Sequence, residues 1–191
     1  GAQRMGCIGA GTDRSCVEVK AVMKAQQYKL QRICEQVELQ QGDTVIEIGT
    51  GWGAFAIYAA THYDCHVTTT TISDEQHDYV ANKVNQLGLE SKITLLKQDY
   101  RLLTGKYDKL VSIEMIEAVG HEYLPSFFTK CGELLKDNGA MLIQAITISD
   151  QRYQHYLKNS DFIQQYIFPG GCLPSLNEMS DQIKNNTDVH I

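Results

Sequence analysis

The chain has 191 residues, 43% of them hydrophobic and 21% charged, a length and balance that suit one globular core and exclude a disordered chain or a disulfide-stapled scaffold. Its formal net charge of −6 comes without any cluster of Lys and Arg, which argues against nucleic acid as a partner, since phosphate contacts by such clusters dominate that binding.

Residues 1–19 carry four glycines and no sustained periodicity, and read as a loose N-terminal segment ahead of one domain spanning residues 20–191. From Lys20 the apolar positions Met23, Leu30, Ile33, Cys34 and Val37 share one helical face, which ends before Gly42-Asp43. Thr44 to Ile48 reads as a buried strand running into glycines. A helix is then expected over Ala54 to Tyr63, a strand over His66 to Thr71, and a helix from Asp74 to Leu87 stopped by Gly88. Strands over Lys92 to Lys97 and Tyr107 to Ile113 follow, then a helix over Leu124 to Lys136 closed by Asn138-Gly139, and a strand over Ala140 to Ile148. Beyond it the pattern is helical through Tyr166, breaks at Phe168-Pro-Gly-Gly171, and resumes at Ser175, which has capping-box spacing to Glu178; Thr187 to Ile191 reads as the start of another strand. The alternation predicts an α/β fold with a doubly wound, mainly parallel, Rossmann-like sheet, and places ligands outside the carboxyl ends of the strands.

The cysteines Cys7, Cys16, Cys34, Cys65, Cys131 and Cys172 form no C-x-x-C pair and no zinc-type spacing with the histidines, so they read as reduced thiols, with Cys34 and Cys131 buried. No apolar run approaches the ~20 residues of a membrane span, and no signal-peptide core is present. A cytoplasmic location is expected.

The segment Glu47-Ile-Gly-Thr-Gly-Trp-Gly53 follows a predicted buried strand. Glycines there let the backbone turn tightly and present amides to a ligand at a helix N-terminus. The stretch from Gly49 to Ala54 also satisfies the dinucleotide variant G-x-G-x-x-A, and a glycine turn without a ligand is a third reading. Two features favour S-adenosylmethionine. Glu47 would face a cationic amino-acid end and repel a pyrophosphate, and Thr68 to Thr71 stand where a dinucleotide fold expects an acid at the end of the second strand.

With Thr71-Ile-Ser-Asp-Glu-Gln76, Asp99-Tyr-Arg101, Val111-Ser-Ile-Glu-Met-Ile-Glu117 and Tyr166-Ile-Phe-Pro-Gly-Gly-Cys-Leu-Pro-Ser175 added, the sequence from Ala25 to Ile183 resembles the cyclopropane-fatty-acyl-phospholipid synthase and mycolic acid cyclopropane synthase family. The resemblance implies a class I S-adenosylmethionine-dependent methyltransferase fold. The implied reaction moves the sulfonium methyl onto the cis double bond of an unsaturated phospholipid acyl chain at the membrane surface, giving a cyclopropane or methyl-branched fatty acid. It implies cofactor contacts at Glu47, Gly49, Thr50, Gly51, Thr71, Ile72, Gln76, Tyr100, Arg101 and Ile113. Glu117 is the implied active-site glutamate, whose family partners are a cysteine, a histidine, a tyrosine and a bound bicarbonate serving as base. Glu114 is expected to face the cofactor. The resemblance further implies a peripheral membrane association and a homodimer.

The sequence departs from the family pattern at several points. Gln144 stands at the histidine's position, where it can hydrogen-bond an anion but cannot be a base near neutral pH. The cysteine has no assignable equivalent, since Cys7 lies too far upstream and the spacing points near Thr12. The tyrosine's position lies beyond residue 191, and His121 is a candidate substitute polar group. The resemblance also implies further C-terminal strands, so the sheet is expected to be incomplete. Two other readings stay open: a small-amine N-methyltransferase of the same fold, and a non-catalytic remnant.

Overall fold

A computed structural model describes residues 14–158 and 171–190, with side chains described from Lys20 onward. The expected break at Phe168 to Gly170, the helical turn through Tyr166 and Cys7 lie outside the described residues. A helix α1 (Arg14–Gln36) opens the chain, beginning six residues before Lys20, where the apolar periodicity starts. Then come β1 (Thr44–Ile48), α2 (Ala54–His62), β2 (His66–Thr71), α3 (Asp74–Leu87), β3 (Ile93–Lys97), β4 (Tyr107–Ile113), α4 (Leu124–Leu134), β5 (Leu135–Gln144), α5 (Asp150–Lys158) and α6 (Leu176–Asn186). The five strands form one sheet in the order β3-β2-β1-β4-β5, and every pairing is parallel. The order reverses beside β1, so β1 and β4 flank the topological switch point at which such sheets hold ligands.

Both faces of the sheet are covered, as parallel sheets require. Along β1, Val45 joins a core with Cys34, Val37, Phe55, Ala59 and Val80. Its neighbours Ile46 and Ile48 join the opposite core with Leu110, Ile116, Phe127, Phe128 and Leu134. Cys34, Cys65 and Cys131 are buried and free. Burial pushes the Cys34 thiol up to about 12 and that of Cys65 to about 11, so these groups act as small apolar fillers.

Local chemistry sets the element ends. The Ser73 hydroxyl caps α3 by accepting from the Gln76 backbone N–H. Gly88 ends the same helix in the left-handed region at φ 66°, where a residue without Cβ is favoured. Ser175 caps α6 through the Glu178 N–H. The Glu178 side chain turns instead to Gln182, so only half of the expected capping box forms.

Three boundaries differ from the periodicity. The helix α4 stops at Leu134, and β5 starts at once, with Tyr107 pairing Leu135 and Lys109 pairing Ala140. Residues 136–139 are therefore an irregularity within a strand rather than a helix end; a Cβ on Gly139 would sit 2.9 Å from Leu135 Cδ2 and from the Lys136 carbonyl. At its other end β5 stops at Gln144 rather than Ile148, which makes only an isolated bridge to Ser175. Thr187 is the C-cap of α6, and 187–190 form no strand.

Asp108 ties the amino-terminal edge of the sheet together. Its Oδ2 accepts from both the Thr44 backbone N–H and the Thr44 hydroxyl, and both carboxylate oxygens accept from Lys136. Hydrogen bonds from Thr44, then Lys136, hold this carboxyl far below the usual aspartate range. Its contribution is complete above the unfolded value near 3.9 and declines as pH falls toward the depressed folded value. Asp108→Ala should cost about 2 kcal/mol in urea unfolding at pH 7, with a smaller difference at pH 3.

Candidate active site

A cavity of about 510 Å³ lies at the carboxyl ends of β1 to β4, lined by Gly49, Thr71, Ile72, Gln76, Tyr100 and Arg101 together with Ile48, Gln98, Asp99, Met115 and Tyr123. Its size is within the range of small-ligand sites. Six of the ten expected cofactor contacts meet there, whereas Glu47, Thr50, Gly51 and Ile113 are not on its wall.

The glycine loop is shaped by close packing. Gly49 has φ 99°, and a Cβ there would fall 2.9 Å from Met115 Cγ. Gly53, at φ 80°, faces both Val80 methyl groups at 3.0 Å. Both positions demand glycine on conformation and on space. Gly49→Ala should cost about 2 kcal/mol of stability from the left-handed backbone alone and weaken S-adenosylhomocysteine binding at least about tenfold, as read by calorimetry.

Behind the loop runs a buried hydroxyl chain. Thr69 donates to Glu47 Oε2 at 2.6 Å, and the Thr50 hydroxyl lies 2.6 Å from that of Thr69. With the Thr69 proton committed to Glu47, Thr50 is the donor. Parallel register explains the meeting, because Glu47 pairs with Thr69 across β1 and β2. Glu47 is 2% exposed, and its carboxyl therefore braces the loop from inside the fold instead of facing the cavity. Burial pushes it up to about 8, the Thr69 hydrogen bond only partly opposing this. A raised acid contributes fully below its unfolded value, and that stability is lost as pH rises through the folded value. Wild type should lose about 1 kcal/mol per pH unit between pH 6 and 8 relative to Glu47→Gln in parallel denaturant titrations.

After β2, the Thr71 hydroxyl donates to Gln76 Oε1 at 2.8 Å and accepts from the Ser73 N–H. Gln76 thus receives its cap from Ser73 while its side chain is held at the cavity by Thr71. After β3, Asp99 accepts from the Arg101 N–H and from Nε and Nη2 of its guanidinium. These bonds hold the Asp99 carboxyl low. Tyr100 packs edge-on against Phe127, ring centroids 5.5 Å apart. Ile113 packs against the core that contains Val45 and Cys34. Trp52 stands outside the cavity, edge-on to Tyr79 at 5.3 Å. Gln98, Asp99, Met115 and Tyr123 line the cavity without having been assigned from sequence. For Asp99 the signal was present, since it leads the Asp99-Tyr-Arg101 motif and its side chain accepts from the amide two residues on.

A second group gathers at the ends of β4 and β5. Glu117 Oε1 accepts from the Ile146 N–H at 2.6 Å, and the Glu117 carbonyl accepts from the Cys172 N–H at 2.7 Å. Glu117 Oε2 is buried without a hydrogen-bond partner among the described residues. Gln144 Nε2 donates to Glu114 Oε1 at 2.8 Å, and Lys29 Nζ reaches the same oxygen at 2.9 Å. Glu114 is thus engaged by α1 and β5 rather than turned to the cavity. His121 is not solvated alone: its Nδ1 lies 2.8 Å from the Tyr153 hydroxyl, and Tyr153 is 3% exposed.

The model for the family described as mycolic acid cyclopropane synthetase matches residues 16–191. The chain belongs to that family. It is 38% identical over 167 residues to tuberculostearic acid methyltransferase UfaA1 of Mycobacterium tuberculosis, covering 87% of this chain and 39% of that protein. Identity to the cyclopropane-fatty-acyl-phospholipid synthase of Escherichia coli K12 is 39% over 156 residues, 82% of this chain and 39% of the relative. The chain thus spans about two fifths of the length of these relatives. Mycolic acid cyclopropane synthase CmaA1, solved in complex with SAH and CTAB, superposes with a TM-score of 0.77 at 30% identity, over 86% of this chain and 61% of that one. Coclaurine N-methyltransferase, at 22% identity and a TM-score of 0.67, shares the fold. The architecture is that of class I S-adenosylmethionine-dependent methyltransferases, represented here by a five-stranded parallel sheet.

Proposed function

We propose that the chain carries the cofactor-binding domain of a lipid-modifying S-adenosylmethionine-dependent methyltransferase. Its reaction places a methyl group on the cis double bond of an unsaturated phospholipid acyl chain at the membrane surface, yielding a cyclopropane or methyl-branched product. The observation that carries this reading is the buried Oε2 of Glu117, which has no partner among the described residues and sits in the segment after β4 whose Met115, Ala118 and Val119 line the cavity. A buried acceptor without a donor is rare unless a ligand completes it.

The cavity fits the cofactor in volume and in the chemistry of its wall. Gly49 permits close backbone approach, and Thr71 orients Gln76, whose Nε2 has no partner among the described residues. Tyr100 offers an aromatic wall, and Asp99 holds Arg101 in place. The bound cofactor supplies an electrophilic methyl group on a sulfonium. Methyl addition to an alkene leaves positive charge on carbon, which a nearby carboxylate stabilises, and product formation requires loss of a proton. Glu117 supplies that carboxylate. Bicarbonate also suits the chemistry of these groups: Glu117 Oε2 would accept from its hydroxyl, the N–H of Gln144 not bound to Glu114 would be a donor for its oxygens, and when bound it would supply the base.

Incubation with S-adenosylmethionine labelled in its methyl group should place label in the acyl chains of unsaturated phospholipid vesicles and none in a panel of small amines. Label confined to amines would sink the lipid reading. Glu117→Gln should reduce product at least about 100-fold, while S-adenosylhomocysteine affinity stays within about twofold of wild type. Equal turnover by that variant would move the active carboxylate elsewhere.

A further inference from the structure

Glu114 follows β4 immediately and sits in the left-handed region at φ 51°, one of three non-glycine residues with positive φ among those described. Such a conformation costs of order 1–2 kcal/mol and persists where its surroundings hold it. Here the surroundings are three contacts. The Glu114 N–H donates to the Gln144 carbonyl at 2.8 Å, extending the pairing of Ile113 with Gln144 by one residue. Its carboxylate then accepts from the Gln144 carboxamide and from Lys29. An ionised carboxylate can only accept, so the contact at 2.8 Å fixes which end of the Gln144 carboxamide faces Glu114. The nitrogen is bound, and the carbonyl oxygen together with one N–H is left for other partners. Two residues further on, the Ile146 N–H is bound to Glu117. The orientation of Gln144 and the placement of Glu117 are therefore set on the same short stretch of chain.

We propose that Lys29, Glu114 and Gln144 form a positioning chain in which helix α1, through Glu114, fixes the orientation of the Gln144 carboxamide on the stretch of chain whose Ile146 N–H holds Glu117, making Glu114 a positioning residue rather than a cofactor ligand. It rests on the function proposed above for its consequence in turnover, and on geometry alone for its wiring. Among the described residues Lys29 from α1 is the charged group bound to Glu114, and Gln144 from β5 is the polar one. Lys29, then Gln144, hold the Glu114 carboxyl below the usual glutamate range.

Two measurements on the 15N-labelled chain test the wiring without turnover. The side-chain amide resonance of Gln144, identified by its loss in Gln144→Ala, should titrate with the Glu114 carboxylate on acidification. Lys29→Met should move that midpoint upward, because the ammonium that favours the ionised acid is gone. A resonance indifferent to both pH and Lys29→Met overturns the proposal. By calorimetry Glu114→Gln should bind S-adenosylhomocysteine within about twofold of wild type; a loss of about tenfold or more would make Glu114 a cofactor ligand and overturn it equally. In methyl transfer, Glu114→Gln should lower kcat about tenfold with KM unchanged. The double variant with Gln144→Ala should be no slower than Gln144→Ala alone, and additive losses count against the chain. Wild type that transfers no methyl group speaks against the function, while the resonance and the calorimetry still decide the role of Glu114.

Discussion

The turn at Gly49 is the constraint on which the rest of the site depends. There β1 leaves the sheet at φ 99° with Met115, from the segment after β4, packed where a side chain would begin. That contact brings the ends of the two central strands together and opens the cavity between them. Its rigidity is supplied from behind, where Thr50 is bound through its backbone to Thr70 and through its hydroxyl to Thr69, which in turn donates to Glu47. A loop made of residues with little intrinsic preference is therefore held by a strand register, and the register is itself fixed by apolar side chains on both faces of the sheet.

Polar groups at the carboxyl ends of the strands are assigned in pairs, which is how the site stays ordered with few regular elements around it. Thr71 holds Gln76, Asp99 holds Arg101, Glu114 holds Gln144, and Ile146 holds one oxygen of Glu117. Each pair lies at a strand end or in the few residues that follow one. That leaves Glu117 Oε2 as a buried acceptor with no partner among the described residues, its carboxylate already fixed through Oε1. Preorganisation of this kind is what lets a fixed dipole act on charge that appears only during reaction.

Strands and helices from Thr44 through Ile113 were readable to within a residue because their period and their stops coincide. Tyr107 to Ile113 and Asp74 to Leu87 have the bounds that alternation and Gly88 indicate. The boundary at Leu134 was not readable, since Leu135 to Lys136 continues a helical pattern and only pairing with Tyr107 makes it a strand. The site divides on similar lines. Gly49, Thr71, Gln76 and Tyr100 follow from motif and place in the chain, and they do line the cavity. Glu47 and Ile113 sit at the right sequence positions, but strand alternation turns their side chains into the fold, a matter of face that motif spacing does not encode. The partnership of Glu114 with Lys29 joins residues 85 positions apart and could come only from the packed structure.

The parallel pairing at the centre of the sheet also bears on how the chain reaches its fold. The bonds from Thr44 to Asp108 join positions 64 residues apart, and β1 pairs with β4 only after two intervening strands and their helices have been made. Contacts of such separation carry a large loop-closure cost before any reward. The pairs of β2 with β1 and of β3 with β2 are more local, so among these pairings that of β1 with β4 spans the longest stretch of chain. Val45 finds core partners on α1, α2 and α3, ahead of β4, whereas Leu110, Ile116, Phe127, Phe128 and Leu134, which share a core with Ile46 and Ile48, all lie in β4 or beyond it. One face of the central strand thus depends on chain made more than sixty residues later, and a chain cut short of β4 would leave that face largely bare.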